Sequence, residues 1–438
     1  MNKHLATEVS EIESAWRSDR WNGIVRPYTA EEVCKLRGSI HIDHTLARLS
    51  SEKLWNLIQN EQHVLAPGAS TADDAVQMVR AGLKVIHLGG QSMSFDDVPS
   101  TPLPHEQGNV QSAVDPETVA RINGALLLSD QLHKTAGNGN IDWLAAIVAE
   151  GKTGTDYPMH AYESAKLLIE AGAAGLYFRD MIAVGRSHPH VDWRALIPTC
   201  QFISNLVAAR LASDVMGVPT VLIAKTAARS ATLLTNDIDE RDYRYASGER
   251  TDLGHYWIRG SLETAIERAV SLAPFADMLS YETTAPDIEE ARKFSAAVLS
   301  EYPGKPLVYS CSPSREWLND MTPEDMTAFH ERLGRMGYRL QTVAGTSLAG
   351  ANAPTSLSEE NLASVALTAR MSVQKSRAKQ EMGVTALTGA RDPLGSIYFA
   401  EVSKLISRVP RFQYVYGMTG STDASAQQVM VVQKAAGR

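Results

Sequence analysis

Cysteine is scarce in this chain of 438 residues: Cys34, Cys200 and Cys311 are the three present, and no pair has Cys-x-x-Cys spacing. That excludes a disulfide framework and fits a reducing compartment. No stretch approaches the ~18 consecutive apolar residues of a membrane-spanning helix, and the polar, charged segment Met1–Arg20 has no apolar run of an export signal. The expectation is a cytoplasmic protein with no membrane partner. Lys/Arg clusters and basic patches interleaved with aromatics are also missing, and the formal net charge is −8 with a pI near 5.9. This argues against nucleic acid as a partner. Apolar residues, by contrast, make up 44% of the chain, enough to bury a large core around a small-molecule site.

Eight short β-branched or apolar runs, each followed by a helical stretch, pace the middle of the chain. They are Val64–Pro67, Lys84–Leu88, Leu144–Ala149, Gly175–Arg179, Val218–Ala224, Phe275–Tyr281, Pro306–Ser310 and Arg339–Val343. Crossover helices are expected over Thr71–Ala81, Pro116–Leu132, Ala161–Ala171, Gln201–Met216, Leu262–Leu272, Asp287–Leu299 and Pro323–Met336. The alternation predicts an α/β protein, a (β/α)8 TIM-type barrel over 64–345, with helices over 1–63 and a helical C-terminal extension over 346–438. The N-terminal helices are expected outside or beneath the barrel. Gln91–Val114 and Arg229–Gly260 are long interruptions at strand ends, where lids and binding loops occur.

In such a barrel the chemistry sits at the C-terminal ends of the strands. There this sequence places Gly89, Glu150, Asp180, Lys225, Glu282, Ser312 and Thr342. Gly89-Gly90 is too short for a phosphate loop, and Cys311 and Cys200 read as small packing residues.

Collinear segments carry a resemblance over nearly the whole chain. They include Arg20-Trp21-Asn22-Gly23-Ile24, Arg26-Pro27-Tyr28, Lys35-Leu36-Arg37-Gly38-Ser39, Leu196-Ile197-Pro198-Thr199 and Asn205-Leu206-Val207-Ala208-Ala209-Arg210-Leu211-Ala212. Gly248-Glu249-Arg250-Thr251, Cys311-Ser312-Pro313-Ser314 and Thr419-Gly420-Ser421-Thr422 continue the series. The chain resembles the isocitrate lyase family, within the phosphoenolpyruvate mutase/isocitrate lyase superfamily. The resemblance implies a barrel, retro-aldol cleavage of a 2-hydroxy tricarboxylate into glyoxylate and succinate, a divalent metal at the glyoxylate end, and a Lys-Lys-Cys-Gly-His loop whose Cys exchanges a proton. It also implies a homotetramer that exchanges C-terminal helices.

At the residues carrying that chemistry the sequence departs from the family pattern. The loop reads Arg186-Ser187-His188-Pro189-His190, so His188 stands where the Cys would be. Ala-Asp-Ala-Glu, whose first carboxylate ligates the metal, becomes Ala149-Glu150-Gly151-Lys152; Glu-Asp becomes Arg179-Asp180; and Ala-Arg-Thr-Asp becomes Ala224-Lys225-Thr226-Ala227. Glu150 and Asp180 remain as metal candidates, but Lys152 and Arg179 put positive charge where carboxylates stood, which disfavours Mg²⁺. The expectation is therefore no cofactor, with Mg²⁺ binding weak or absent. Ser-Gly-Trp becomes Gly89-Gly90-Gln91 and Asn-Cys-Ser-Pro-Ser becomes Ser310-Cys311-Ser312-Pro313-Ser314, so Ser310 replaces an Asn while Ser312, Ser314, Thr342 and His190 keep the donors of the succinate side and Glu282 stands in place.

The expected enzyme is thus a carbon–carbon lyase acting on an anionic 2-hydroxy or 2-oxo di- or tricarboxylate other than isocitrate. Lys152, Arg179 and Lys225 would stabilise developing charge, His188 would carry the proton, and His190, Ser312, Ser314 and Thr342 would hold the far carboxylate, with Ser310 also lining the substrate site. A salt bridge from Lys152 to Glu150 or Asp180 is the purely structural alternative for that cation. His188 and His190 form a His-x-His pair that could instead hold a transition metal with Glu150 or His105. Two further readings stay open: an inactive paralogue that binds a dicarboxylate or an active lyase, and an active isocitrate or methylisocitrate lyase with a rearranged metal site.

Overall fold

The computed structural model describes residues 3–69, 71–89, 114–137, 139–153, 158–183, 194–251, 254–283, 286–311 and 323–343. Three helices come first: α1 (Lys3–Trp16), α2 (Ala30–Leu36) and α3 (Thr45–Asn60). The alternation then runs β1 (Val64–Pro67), α4 (Ala72–Arg80), β2 (Val85–Leu88), α5 (Pro116–Thr135), β3 (Ala146–Glu150), α6 (Met159–Glu170) and β4 (Gly175–Arg179). Two short strands follow, β5 (Met181–Ala183) and β6 (Arg194–Leu196), before α7 (Thr199–Met216) and β7 (Val221–Thr226). After β7 come β8 (Leu233–Leu234), α8 (Glu240–Tyr243), β9 (Ala246–Arg250) and β10 (Tyr256–Ile258). The chain then continues with α9 (Leu262–Leu272), β11 (Met278–Thr283), α10 (Ile288–Glu301), β12 (Leu307–Cys311), α11 (Pro323–Arg335) and β13 (Tyr338–Val343).

Eight parallel strands pair in the order β1-β13-β12-β11-β7-β4-β3-β2. A parallel bridge between Gly68 and His87, with Ala69 N–H donating to the His87 carbonyl at 3.3 Å, joins β1 to β2 and closes the barrel. All eight expected strands are present; β1 and β4 start where expected and the other six start within three residues of it. The run at Phe275 opens as a 3-10 turn over Ala273–Phe275, with Pro274 in its first turn, and the strand begins only at Met278.

Two apolar layers hold the barrel. Alternate strand residues face outward against the helices, as Ile86, Ile147, Leu176, Leu222 and Leu279 do, packed with Phe202, Leu168 and Ala265. The other set faces inward: Val85, Val148, Ile223, Val308 and Leu340 meet Leu54 and Ile58 of α3. Helix α3 therefore closes the barrel from beneath, and a Cβ at Gly175 would lie 2.9 Å from Leu54, so that approach needs glycine. Under the same end, Asp277 accepts from Arg20 at 2.7 Å and from Arg210, while the Arg20 guanidinium lies between the rings of Trp21 and Trp55, 4.2 and 3.8 Å from their centroids. Stacked in this way, a buried arginine trades water for aromatic faces.

The segment read as a long loop after the fifth strand is more ordered than expected. Its β8, β10 and β9 join β5 and β6 in a second sheet, ordered β5-β6-β8-β10-β9. The sheet is anchored to α7: Asp242 accepts from Thr199 N and Oγ1, both at 2.8 Å, and from Arg268 at 2.7 Å, while Asp239 accepts from Cys200 N at 2.6 Å. Carboxylates at a helix N-terminus satisfy its first free N–H groups.

Candidate active site

The inward-facing residues change character near the C-terminal ends of the strands. Above the apolar layer of Val148, Ile223 and Val308 stand His87, Tyr177, Lys225, Ser280, Ser310 and Thr342 around a small shared space. Period-two alternation along each strand carries Glu150, Arg179 and Glu282 one step higher, from Val148, Tyr177 and Ser280. Of the residues selected from sequence, Glu150, Arg179, Lys225, Glu282, Ser310 and Thr342 therefore converge on one mouth, and Gly89 sits beside it. A Cβ at Gly89 would lie 2.8 Å from the Tyr177 hydroxyl and 3.6 Å from Glu150, so this rim accepts no larger residue without movement.

Register brings the charges together. Arg179 on β4 is paired with Lys225 on β7, Glu282 on β11 with Ser310 on β12, and Ser310 with Thr342 on β13. Glu150, 1% exposed, is ion-paired with Arg179 through Nε at 2.9 Å and accepts from the Tyr177 hydroxyl at 2.9 Å. Lys225 Nζ donates to Ser310 Oγ at 2.9 Å and lies 5.9 Å from the Tyr177 ring centroid. Burial works against the Arg179 charge, but Glu150 and Glu282 outweigh it and raise its pKa. Burial, together with Glu150, raises the Tyr177 phenol well above its ordinary value, so it keeps the proton it donates. The result is a mouth with two fixed cations, a carboxylate committed to one of them, and hydroxyls at Ser310 and Thr342.

The remaining selected residues are placed differently. Lys152 is half-buried just past β3, with its backbone N–H donating to Ser164 Oγ at 2.9 Å; the ion pairs at Glu150 and Asp180 are made by Arg179 and Arg268 instead. Asp180 is fully buried: it accepts from Arg268 at 2.9 Å, Thr226 Oγ1 at 2.5 Å and Ala227 N at 2.8 Å. That set of partners ties the end of β4 to β7 and α9. Gly90, Gln91, His105, His188, His190, Ser312 and Ser314 lie outside the described residues, as does the chain from 344 onward. Sequence reasoning missed His87, Tyr177 and Ser280. Each lies inside an apolar run, two positions before a selected residue (Gly89, Arg179 and Glu282 in turn), so alternation along the strand was the signal that could have found them.

The fit to a divalent metal follows from these partners. Glu150 is held by the Arg179 guanidinium and a phenol, Asp180 by a buried salt bridge, and one further cation, Lys225, faces the mouth. Among the described residues no three His, Cys, Asp or Glu side chains gather as a metal-binding group. The donor set does not suit a hard cation, which needs several free oxygens.

The profile of the isocitrate lyase family matches residues 8–252 and 246–408. An isocitrate lyase of Halalkalibacterium halodurans is 43% identical over 338 residues, 76% of this chain and 79% of that protein. One of Corynebacterium glutamicum is 40% identical over 402 residues, 90% of this chain and 93% of that protein. Among solved structures, oxaloacetate acetylhydrolase in complex with oxalate aligns with a TM-score of 0.45 at 16% identity, over 82% of this chain and 96% of that one. On the family match and these relatives, the chain belongs to the isocitrate lyase family.

Proposed function

We propose that this protein is a carbon–carbon lyase of the retro-aldol type, acting on an anionic 2-hydroxy or 2-oxo di- or tricarboxylate other than isocitrate. The observation that carries the reading is the side-by-side pair Arg179 and Lys225 on neighbouring strands, with Lys225 already donating to a hydroxyl. Two fixed cations at a buried mouth suit a carboxylate and the charge that develops next to it. In the cleavage, the hydroxyl loses its proton and becomes a carbonyl. The electron pair of the broken carbon–carbon bond passes to the carbon beside a carboxylate, and that carbon takes up a proton. Arg179 and Lys225 would hold the enediolate-like charge, with Lys152 as a third cation at the rim. His188 would carry the proton, and His190, Ser312, Ser314 and Thr342 would hold the far carboxylate. Because the donor set does not suit a divalent metal, no step is assigned to one.

Two other readings each rest on a specific observation. Relatives named isocitrate lyase at 40 and 43% identity favour ordinary isocitrate or methylisocitrate cleavage. The ion pair in which Glu150 neutralises Arg179 favours a paralogue that binds a dicarboxylate without turnover, alone or beside an active lyase. One experiment separates all three: calorimetric titration and 2-oxo acid release with the full chain, chelator-treated or supplied with Mg²⁺, across isocitrate, methylisocitrate and other 2-hydroxy acids. Metal-free binding with cleavage of an acid other than isocitrate is the expected result. Mg²⁺-dependent isocitrate or methylisocitrate cleavage would establish the second reading, and binding with no turnover the third. A homotetramer that exchanges C-terminal helices and a cytoplasmic location complete the proposal, the former measurable by sedimentation of the full chain.

A further inference from the structure

Two polar atoms one layer beneath Arg179 have no hydrogen-bond partner among the described residues: His87 Nδ1 and Ser280 Oγ. Both side chains are deeply buried, at 7 and 1% exposure, and both line the same small space as Lys225, Ser310 and Thr342. Their strands, β2 and β11, are four steps apart along the order β2-β3-β4-β7-β11, so they face one another across an eight-stranded barrel. Unmade hydrogen bonds on opposite walls of a buried space are costly unless something fills it.

We propose that His87 and Ser280 form a receptor for one uncharged oxygen of the bound acid, its 2-hydroxyl or 2-oxo oxygen. This rests on the reading that the mouth takes an anionic carboxylic acid, and it names the group by which that acid is selected. Arg179 and Lys225 meet the carboxylate; the two orphans, one layer beneath Arg179 and beside Lys225, are neutral and can each donate or accept, which matches a hydroxyl or a carbonyl. The imidazole is in the right state for this: burial, with Lys225 and Arg179 nearby, holds its pKa down to about 3, so it stays neutral. Its ring is fixed by stacking on Tyr177, with centroids 5.0 Å apart and planes at 20°. A dicarboxylate with no oxygen at carbon 2 leaves both orphans unmade, which is how a site built for a hydroxyl discriminates against the analogue lacking it.

The test compares succinate with malate, which differ by one hydroxyl, in metal-free calorimetric titrations of the full-length wild type, His87→Phe and Ser280→Ala. Malate is expected to bind the wild type about tenfold more tightly, the equivalent of one good hydrogen bond. The preference should shrink to within about twofold in H87F and to about threefold in S280A. Equal affinities for the two acids in the wild type would overturn the receptor while leaving the carboxylate site intact, since the space would then hold only water. An unchanged preference in both variants would overturn it equally. Failure of both acids to bind would instead defeat the underlying functional reading. Should H87F not fold by circular dichroism, S280A and the wild-type ratio decide.

Discussion

The ion pair between Glu150 and Arg179 is the strongest lever on both stability and binding. Arg179→Met removes the guanidinium from a carboxylate that is 1% exposed and keeps the hydrogen bond it accepts from the Tyr177 hydroxyl. Breaking a buried pair by deleting one partner costs about 3–5 kcal/mol. With an unfolding entropy of about 2.1 cal/mol/K per residue, the 438 residues carry about 0.9 kcal/mol/K, so Tm should fall by about 3–6 °C if the chain unfolds as one unit. The double variant Glu150→Gln with Arg179→Met removes both charges and keeps an acceptor for Tyr177, so most of the loss should return. The same pair competes with an incoming carboxylate for Arg179. Glu150→Gln alone should therefore tighten dicarboxylate binding by about three- to tenfold, about 0.6–1.4 kcal/mol. Scanning calorimetry and titration calorimetry read the two effects. A Tm drop below about 1 °C in R179M, a double variant no better than the single, or weaker binding in E150Q would each refute the reasoning.

Three shorter predictions follow from individual groups. His87 has a folded-state pKa of about 3 against 6.5 when unfolded, so between those values the unfolded chain carries more protons and stability falls as pH falls, by up to about 1.4 kcal/mol per pH unit. Denaturant titrations from pH 6.5 to 4.5 should show that slope in the wild type and a flatter one in H87F; parallel curves would contradict it. Lys305 is held down to about 8 by burial, with Asp277 partly opposing, against 10.5 unfolded. Here the unfolded chain again binds the extra proton, now between pH 8 and 10.5, so stability should rise with pH across that window and Lys305→Met should abolish the rise. Gly151→Ala drives a methyl group into the Phe178 ring and should cost about 1–3 kcal/mol, read as a lower denaturant midpoint at unchanged slope.

The barrel was legible because a parallel strand buried on both faces is a short, continuous apolar run, and Ile86, Ile147, Leu176, Leu222 and Leu279 announce five of them outright. Lys225 was legible for the converse reason, as a charge ending such a run, and Arg179 because it stands where the resembled family pattern has a carboxylate; Asp180, which also ends a run, is turned instead to Arg268. What the chain alone does not encode locally is pairing. Lys152 lies two residues from Glu150 in sequence, yet the ion pair is made by Arg179, which arrives from the neighbouring strand because Glu150 sits in register with Tyr177. The second sheet was hidden because its strands are two to five residues long, come from two separate insertions, and include Ala-Ser-Gly-Glu-Arg, almost entirely exposed. His87 was hidden by its company, one imidazole inside Val-Ile-His-Leu, a setting in which a histidine reads as core. Its placement follows once strand alternation is combined with barrel closure: alternation points it inward beneath Gly89, and closure through Gly68 sets it opposite Ser280. Polar residues at the inward positions of buried strands therefore carry information about a barrel's ligand that strand-end residues do not. The strand ends set the charge of what binds, and the layer beneath them sets which uncharged atom it must bring.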